Sequence, residues 1–350
     1  MFNELGVAAS RTFLLKLNLP LSDSDVGGAS LALGGLTKGF SPLEHAGAYS
    51  AIANEGIYIE PKLYTKVVDR EGNVILEKYS EVTSVMSKQN AYILTNMMQS
   101  VITSGTGTSA ALSNMPVAGK TGTTNDSKDR WFAGYTPYYH ASVWVGYDDP
   151  KAISVSGNPA AKLWKAVMEK VHKDLPNATF ERPSGVIEVE ICKDSGLIAT
   201  EACKNDLRGT RVITELFNSK NGTVPKTTCE IHQYVSVCPD SFKLANPTCL
   251  HTVGTISIVR LNRNYEEGQP TVKPADYEYE IPKDYCEFHF CARDDEGNWI
   301  YNYFPTPDEN DNPIENESES GNTNVEDNNN SSGSNTENDD EQNMSSFWWQ

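Results

Sequence analysis

The chain has 350 residues, 38% hydrophobic and 22% charged, with a formal net charge of −18. That length suits two or three globular pieces, and no apolar run approaches a membrane span or the basic-then-apolar pattern of a signal peptide. Residues 305–350 hold twelve Asp and Glu and no Lys or Arg, so the rest of the chain is only mildly acidic, which argues against nucleic acid as a partner.

Taken in order, Phe2 to Leu17 reads as an amphipathic helix, with Leu5, Ala9, Phe13 and Leu17 at helical spacing. Ser41-Pro42-Leu43-Glu44 is a helix start: Ser as N-cap, Pro in the first turn, and Glu three residues on to complete a capping box. Small residues (Ala46, Gly47, Ala48, Ala51, Ala53) permit close packing of that helix, and Gly56 ends it. Leu63–Val68 and Asn73–Glu77 flank Glu71-Gly72 as a hairpin. Ser87 opens another helix with Ala91, Leu94, Met98 and Val101 on one face, closed by Gly105.

An apolar approach, Met115 to Ala118, leads into Gly119-Lys120-Thr121-Gly122-Thr123-Thr124-Asn125-Asp126. Two more strand-like segments follow, Arg130–Thr136 and Ala141–Tyr147. A strand at the edge of an acyl-transfer cleft can offer one bound acyl group a fixed cation, hydroxyls and a backbone N–H. Lys120 would set the local field and attract a carboxylate. The Thr121 and Thr123 hydroxyls can hydrogen-bond that carboxylate, and Gly122 lets a substrate backbone lie close. The N–H of Thr123 is the candidate half of an oxyanion hole. Catalytic candidates are therefore Lys120 and Thr123, and substrate-binding candidates Thr121, Gly122, Thr123 and Thr124.

Ala160 to His172 reads as a third amphipathic helix and Leu175–Pro183 as a linker. From Gly185 short strands and Gly/Pro turns suggest a small β-rich module reaching about Tyr303. Residues 305–350 cannot bury a core and are expected to be disordered, as is the closing Phe347-Trp348-Trp349. All seven cysteines fall between Cys192 and Cys291. Such clustering suggests an oxidising compartment and disulfides. Cys229-x-x-His232 could instead be half of a zinc site, but a second closely spaced Cys/His pair of the usual finger type is not expected to accompany it. The six histidines (His45, His140, His172, His232, His251, His289) are scattered singly and read as structural or surface residues. No cofactor motif is found, and no metal ligands are assigned.

Lys-Thr-Gly is one of three motifs shared by penicillin-binding proteins and class A β-lactamases, with Ser-x-x-Lys and Ser-x-Asn. Residues 1–175 resemble the second half of the transpeptidase domain of class A, bifunctional penicillin-binding proteins. The matching runs are Ser30-Leu31-Ala32-Leu33-Gly34, Ser41-Pro42-Leu43-Glu44, Ala53-Asn54-Glu55-Gly56, Gly105-Thr106-Gly107, the Gly119–Asp126 block, Asp129 with Trp131-Phe132, Gly134-Tyr135-Thr136-Pro137, and Trp144-Val145-Gly146-Tyr147-Asp148. The last runs follow the penicillin-binding rather than the β-lactamase pattern. The resemblance implies an α+β fold, a partial penicillin-binding/serine β-lactamase-like transpeptidase fold with an antiparallel sheet and flanking helices. The expected division is 1–175 for this part, 183–303 for a Cys-rich β module and 304–350 for the acidic tail.

The resemblance also implies a serine D-Ala-D-Ala transpeptidase, with peptidoglycan stem peptides and β-lactams as ligands and no cofactor. Lys120 takes the third-motif lysine's role, Thr121 and Thr123 the carboxylate contacts, and the Thr123 N–H the oxyanion position. A Cys203–Cys229 bridge is a further implication. The departure is large: no serine has a lysine three residues later, and the Ser-x-Asn runs at Ser156-Gly157-Asn158 and Ser219-Lys220-Asn221 follow the Lys-Thr-Gly block instead of preceding it. The chain is therefore expected to be the C-terminal piece of a longer protein, inactive alone. The missing part would carry the nucleophile, a glycosyltransferase domain and an anchor to the extracytoplasmic face of the bacterial cell membrane. The alternative expectation is a non-catalytic wall-associated binding module.

Overall fold

The computed structural model describes residues 2–25, 27–263, 274–289, 291–293, 295–296 and 299–301. The tail expected at 304–350, with its Phe347-Trp348-Trp349 end, and the module's expected limit at Tyr303 lie outside the described residues. The described residues fall into two units, one reaching Phe288 and the other beginning at His289.

In chain order the first unit begins with α1 (Phe2–Lys16), broken at Gly6, whose φ of 79° only a glycine adopts freely. Next come α2 (Gly28–Leu33) and α3 (Pro42–Ala53). The capping box of α3 forms as the sequence predicts: Ser41 Oγ accepts from the Glu44 amide at 3.3 Å, and Glu44 Oε2 accepts from the Ser41 amide at 2.7 Å. Strands β1 (Ile57–Ile59) and β4 (Val82–Ser84) pair antiparallel around the expected hairpin, β2 (Lys66–Val68) with β3 (Val74–Glu77). Helix α4 (Lys88–Thr103) starts on Ser87 as N-cap.

The centre is an antiparallel sheet ordered β5 (Ala118–Thr123), β6 (Arg130–Tyr135), β7 (His140–Val145). Side-chain alternation along β6 sets what covers each face. Phe132 turns to α5 (Pro159–Val171) and meets Trp164 edge-on at 5.3 Å between ring centres. Both rings are fully buried, with Ile102, Val117 and Met168. Tyr135 turns to the other face, where its hydroxyl lies 2.8 Å from Thr95 Oγ1 of α4, and Trp131 meets His45 of α3. Asn158 caps α5: its Oδ1 accepts from the Ala161 amide at 3.1 Å.

The remainder of this unit is a structure told twice. Strand β8 (Val186–Cys192) pairs with β9 (Val212–Asn218) around α6 (Glu201–Lys204). Strand β10 (His232–Val237) pairs with β11 (Ile256–Leu261) around α7 (Pro247–Thr252). Cys192-Lys193-Asp194-Ser195 and Cys238-Pro239-Asp240-Ser241 open corresponding turns, with Ala199 and Ala245, then Cys203 and Cys249, at matching positions. The backbone repeats too. Cys192 donates to the Leu197 carbonyl and Cys238 to that of Lys243; Cys229 donates to Ile198 and Cys286 to Leu244. The left-handed residue between the first two sits at Gly196 (φ 70°) in one copy and Phe242 (φ 55°) in the other. In the second unit β12 (Cys291–Arg293) pairs with β13 (Trp299–Tyr301).

The Cys203–Cys229 bridge is not present: Cys192, Cys203 and Cys229 are all buried thiols, gathered in one cluster with no disulfide among them. Burial pushes the Cys203 thiol up to about 11. Burial opposes ionisation of Cys229 as well, but hydrogen bonds, led by those from the Ser195 hydroxyl and the His232 backbone, outweigh it and bring that thiol down to about 6.

Candidate active-site strand

β5 is an edge strand: β6 lies on one side, and among the described residues no strand pairs with the other. The register sets Gly119 opposite Gly134, Lys120 opposite Ala133, Thr121 opposite Phe132, Gly122 opposite Trp131 and Thr123 opposite Arg130. Just past this ladder the Thr124 amide donates to the Asp129 carbonyl at 3.2 Å. Hydrogen-bonded and non-bonded pairs alternate in an antiparallel ladder, so the Thr121 and Thr123 N–H groups point off the open edge instead of toward β6. An extended peptide or an acyl oxygen arriving at that edge meets donors with no strand partner.

Glycine keeps the strand where it is. A Cβ on Gly119 would lie 2.7 Å from Phe132 Cζ and 2.8 Å from the Ala133 carbonyl oxygen, and one on Gly122 would lie 3.1 Å from Trp131 Cβ.

The predicted residues divide between two faces. Alternation puts Lys120 with Ala118 and Gly122 on one face and Thr121 with Thr123 on the other. Lys120 is exposed, and its Nζ donates to its neighbour's carbonyl, Thr121 O, at 2.9 Å. Thr121 Oγ1 lies 2.6 Å from Thr106 Oγ1, and Thr123 Oγ1 accepts from Arg130 Nη1 at 3.3 Å. The two hydroxyls therefore share a side, whereas the ammonium reaches round the strand from the other. Thr123 and Thr124 are exposed.

Thr124 closes the β5–β6 turn through Asp129. Its hydroxyl donates to Asp129 Oδ2 at 2.8 Å and accepts from the Asp129 amide at 2.9 Å. Asp129 Oδ1 accepts the indole N–H of Trp144 at 2.8 Å, fastening the turn to β7. Within the turn Asp126 and Ser127 are consecutive left-handed residues (φ 58° and 56°), a conformation costing a non-glycine residue roughly 1–2 kcal/mol. The Asp129 bonds hold it. The sequence offered Asp129 and Thr106 only as members of matching runs, and neither stood among the predicted site residues. Behind β6, His45 Nδ1 lies 2.8 Å from Ser142 Oγ between Tyr49 and Trp131, and burial lowers its pKa to about 4.

Residues 18–169 match the family of the penicillin binding protein transpeptidase domain, and residues 182–234 match the penicillin-binding protein 1A C-terminal domain. Among curated relatives, penicillin-binding protein 1A of Clostridium botulinum (strain Langeland) is 38% identical over 274 residues, 77% of this chain and 32% of that protein. Penicillin-binding protein 1A of Clostridium perfringens (strain ATCC 13124) is 39% identical over 248 residues, 68% of this chain and 30% of the relative. The crystal structure of penicillin-binding protein 1A from Haemophilus influenzae superposes with a TM-score of 0.53 at 23% identity, covering 65% of this chain and 39% of that one. That likeness shows the fold: the expected α+β arrangement of antiparallel sheet and flanking helices is what the chain adopts. The chain spans about a third of the length of these curated relatives.

Proposed function

We propose, for a chain that belongs to the class A penicillin-binding proteins and carries a C-terminal part of their transpeptidase domain with the domain that follows, that β5 is the acyl-binding edge of a serine D-Ala-D-Ala transpeptidase cross-linking peptidoglycan stem peptides. The observation that carries this reading is the Lys-Thr-Gly run on an open sheet edge with the Thr123 N–H directed outward. In such a reaction a serine hydroxyl attacks the carbonyl of the D-Ala-D-Ala bond, and the terminal D-Ala leaves. An amine on a neighbouring strand then takes the acyl group from the serine. The carbonyl oxygen becomes an oxyanion in each half, and a preset N–H is worth most at that moment; one such donor typically contributes about 3–4 kcal/mol.

On this reading Thr123 N–H faces the oxyanion. The Thr121 and Thr123 hydroxyls hold the substrate carboxylate, Gly122 admits the peptide backbone, and Thr124 keeps the turn closed. Lys120 supplies the positive field. A β-lactam would occupy the same edge. The serine has to come from outside residues 1–350, which contain no Ser-x-x-Lys. The reaction belongs on the extracytoplasmic face of the membrane, where the substrate lies. Among the described residues no helix is long and apolar enough to cross it.

Fluorescent penicillin tests this. The chain alone is expected to give no covalent band, and a longer polypeptide that adds Ser-x-x-Lys upstream is expected to label. Lys120→Ala in the longer form should slow labelling about 100-fold or more, in line with the loss of a fixed electrostatic group at a reacting centre. Labelling of the chain alone, or unchanged labelling of Lys120→Ala, would contradict the proposal.

A further inference from the structure

The cysteines fall outside the transpeptidase reading, and their arrangement is that of a ligand set. Cys192, Cys203, Cys229 and His232 are all buried, and their ligand atoms lie within 4.8 Å of one another. His232 presents one nitrogen to the thiols: Nδ1 is 3.4 Å from Cys192 Sγ and 3.3 Å from Cys229 Sγ. With metal–sulfur bonds of about 2.3 Å and metal–nitrogen bonds of about 2.0 Å, tetrahedral ligands stand roughly 3.5–3.8 Å apart. The cluster already has nearly that spacing. A disulfide would join two sulfurs at about 2.0 Å and strand the third thiol beside the imidazole.

The surroundings fit the same chemistry. His232 Nε2, the nitrogen turned away from the thiols, lies 3.0 Å from Asp206 Oδ2 and 3.2 Å from Asp194 Oδ2. A proton held there by carboxylates leaves the Nδ1 lone pair directed at the cluster, the arrangement in which histidine ligates metals. Arg208 and Arg211 hold the two carboxylates in turn, with Arg208 Nη2 2.7 Å from Asp194 Oδ2 and Arg208 Nε 2.8 Å from Asp206 Oδ1. Backbone amides donate to sulfur, from Asp194 to Cys192 and from Thr200 to Cys203, both at 3.4 Å. Cys203 rides on the first turn of α6, and β8 delivers Cys192 at its last residue.

We propose that Cys192, Cys203, Cys229 and His232 Nδ1 bind a structural zinc ion, and that the thiols of Cys238, Cys249 and Cys286 bind a second by duplication of the first. The second rests on the repeat described above. Cys238, Cys249 and Cys286 form a buried cluster of their own, and the sequence ends both copies alike, Cys229-Glu230-Ile231-His232 and Cys286-Glu287-Phe288-His289. Three thiolates and an imidazole in a closed tetrahedral set are typical of zinc held for structure, with no open position for substrate. Small loop-rich segments that bury little apolar surface are often held this way.

The test is the metal content of the full chain, purified reduced and without chelator. Two zinc ions per chain are expected, with X-ray absorption giving about three sulfurs and one nitrogen at zinc–sulfur distances near 2.3 Å. Replacement by cobalt should give the absorption bands of tetrahedral thiolate coordination. Cys203→Ser should lose one ion and Cys249→Ser the other, whereas His232→Cys, which keeps four ligands, should retain both. A chain that is folded by circular dichroism yet holds no zinc and takes up no cobalt overturns the proposal. So does a disulfide between Cys203 and Cys229 in the reduced-purified protein. Loss of zinc in Cys203→Ser with no change in Cys249→Ser would overturn the second site.

Discussion

The motif sheet at 118–145 and the doubled cysteine region at 186–286 are both built from antiparallel strand pairs, yet they are held from within by different means. The sheet is held by shape. Phe132 and Trp164 meet in a buried interior, Gly119 and Gly134 let aromatic rings lie against backbone, and the open edge of β5 belongs to the sheet packed on that interior. The cysteine region buries sulfur, imidazole and a carboxylate–guanidinium network at its first centre and a second set of thiols at the other. Reaction edges gain from stiffness supplied by ordinary packing, whereas a segment with too little apolar surface needs bonds of another kind.

Removing the ring that holds the sheet is the most forceful way to separate the two. Trp164 is fully buried and its indole N–H donates to the Gly134 carbonyl at 3.2 Å. Trp164→Ala is expected to cost about 3–5 kcal/mol of stability, the usual range for emptying a large aromatic site. Denaturant titration measures that loss, and metal analysis of the folded fraction should show the cysteine centres unaffected. A loss below about 1 kcal/mol would mean that the sheet does not depend on this packing.

Acid sharpens the contrast at smaller amplitude. Burial lowers the pKa of His45 to about 4 from its ordinary 6.5, so the unfolded chain binds a proton there at a pH where the folded one does not. Stability contributed by the neutral ring is full above about pH 6.5 and is lost as pH falls toward 4. Carboxylates elsewhere add their own acid sensitivity. The informative quantity is therefore the difference between the native chain and His45→Gln, whose side-chain amide can still hydrogen-bond Ser142. The native chain is expected to lose more stability than His45→Gln between pH 6.5 and 4, with the two converging in slope above pH 7. Equal slopes throughout would remove His45 from the account.

How much of the structure is legible in the sequence differs between the same two regions. Ser41 with Glu44 and Ser87 were readable as caps because a side chain bonding its own backbone three residues on is a local matter. The three motif strands were readable for the same reason, and β5 adopts the predicted strand with its glycines where close packing demands them. What the motif could not give was the division of Lys120 from Thr121 and Thr123 between two faces, or the part of Asp129, which depends on a turn whose ends meet only in three dimensions. In the cysteine region both Cys229-x-x-His232 and its counterpart Cys286-x-x-His289 stand in the sequence. The remaining cysteines are too distant in sequence for a finger pattern, and clustered cysteines without one point equally to disulfides. His232, singly placed in the sequence, lies against the thiols of the first cluster. Comparing the Cys-x-Asp-Ser turns against each other would have exposed the duplication; Phe242 in a left-handed conformation, opposite Gly196, is the sort of substitution that hides it.

The reading of β5 is tested most directly by the structure of a β-lactam adduct of a longer polypeptide that supplies the nucleophile. The account predicts the acyl carbonyl oxygen about 2.7–3.1 Å from the Thr123 amide, with the lactam carboxylate against the Thr121 and Thr123 hydroxyls. An adduct whose carbonyl lies away from the β5 edge, with the Thr123 N–H still facing solvent, would contradict it.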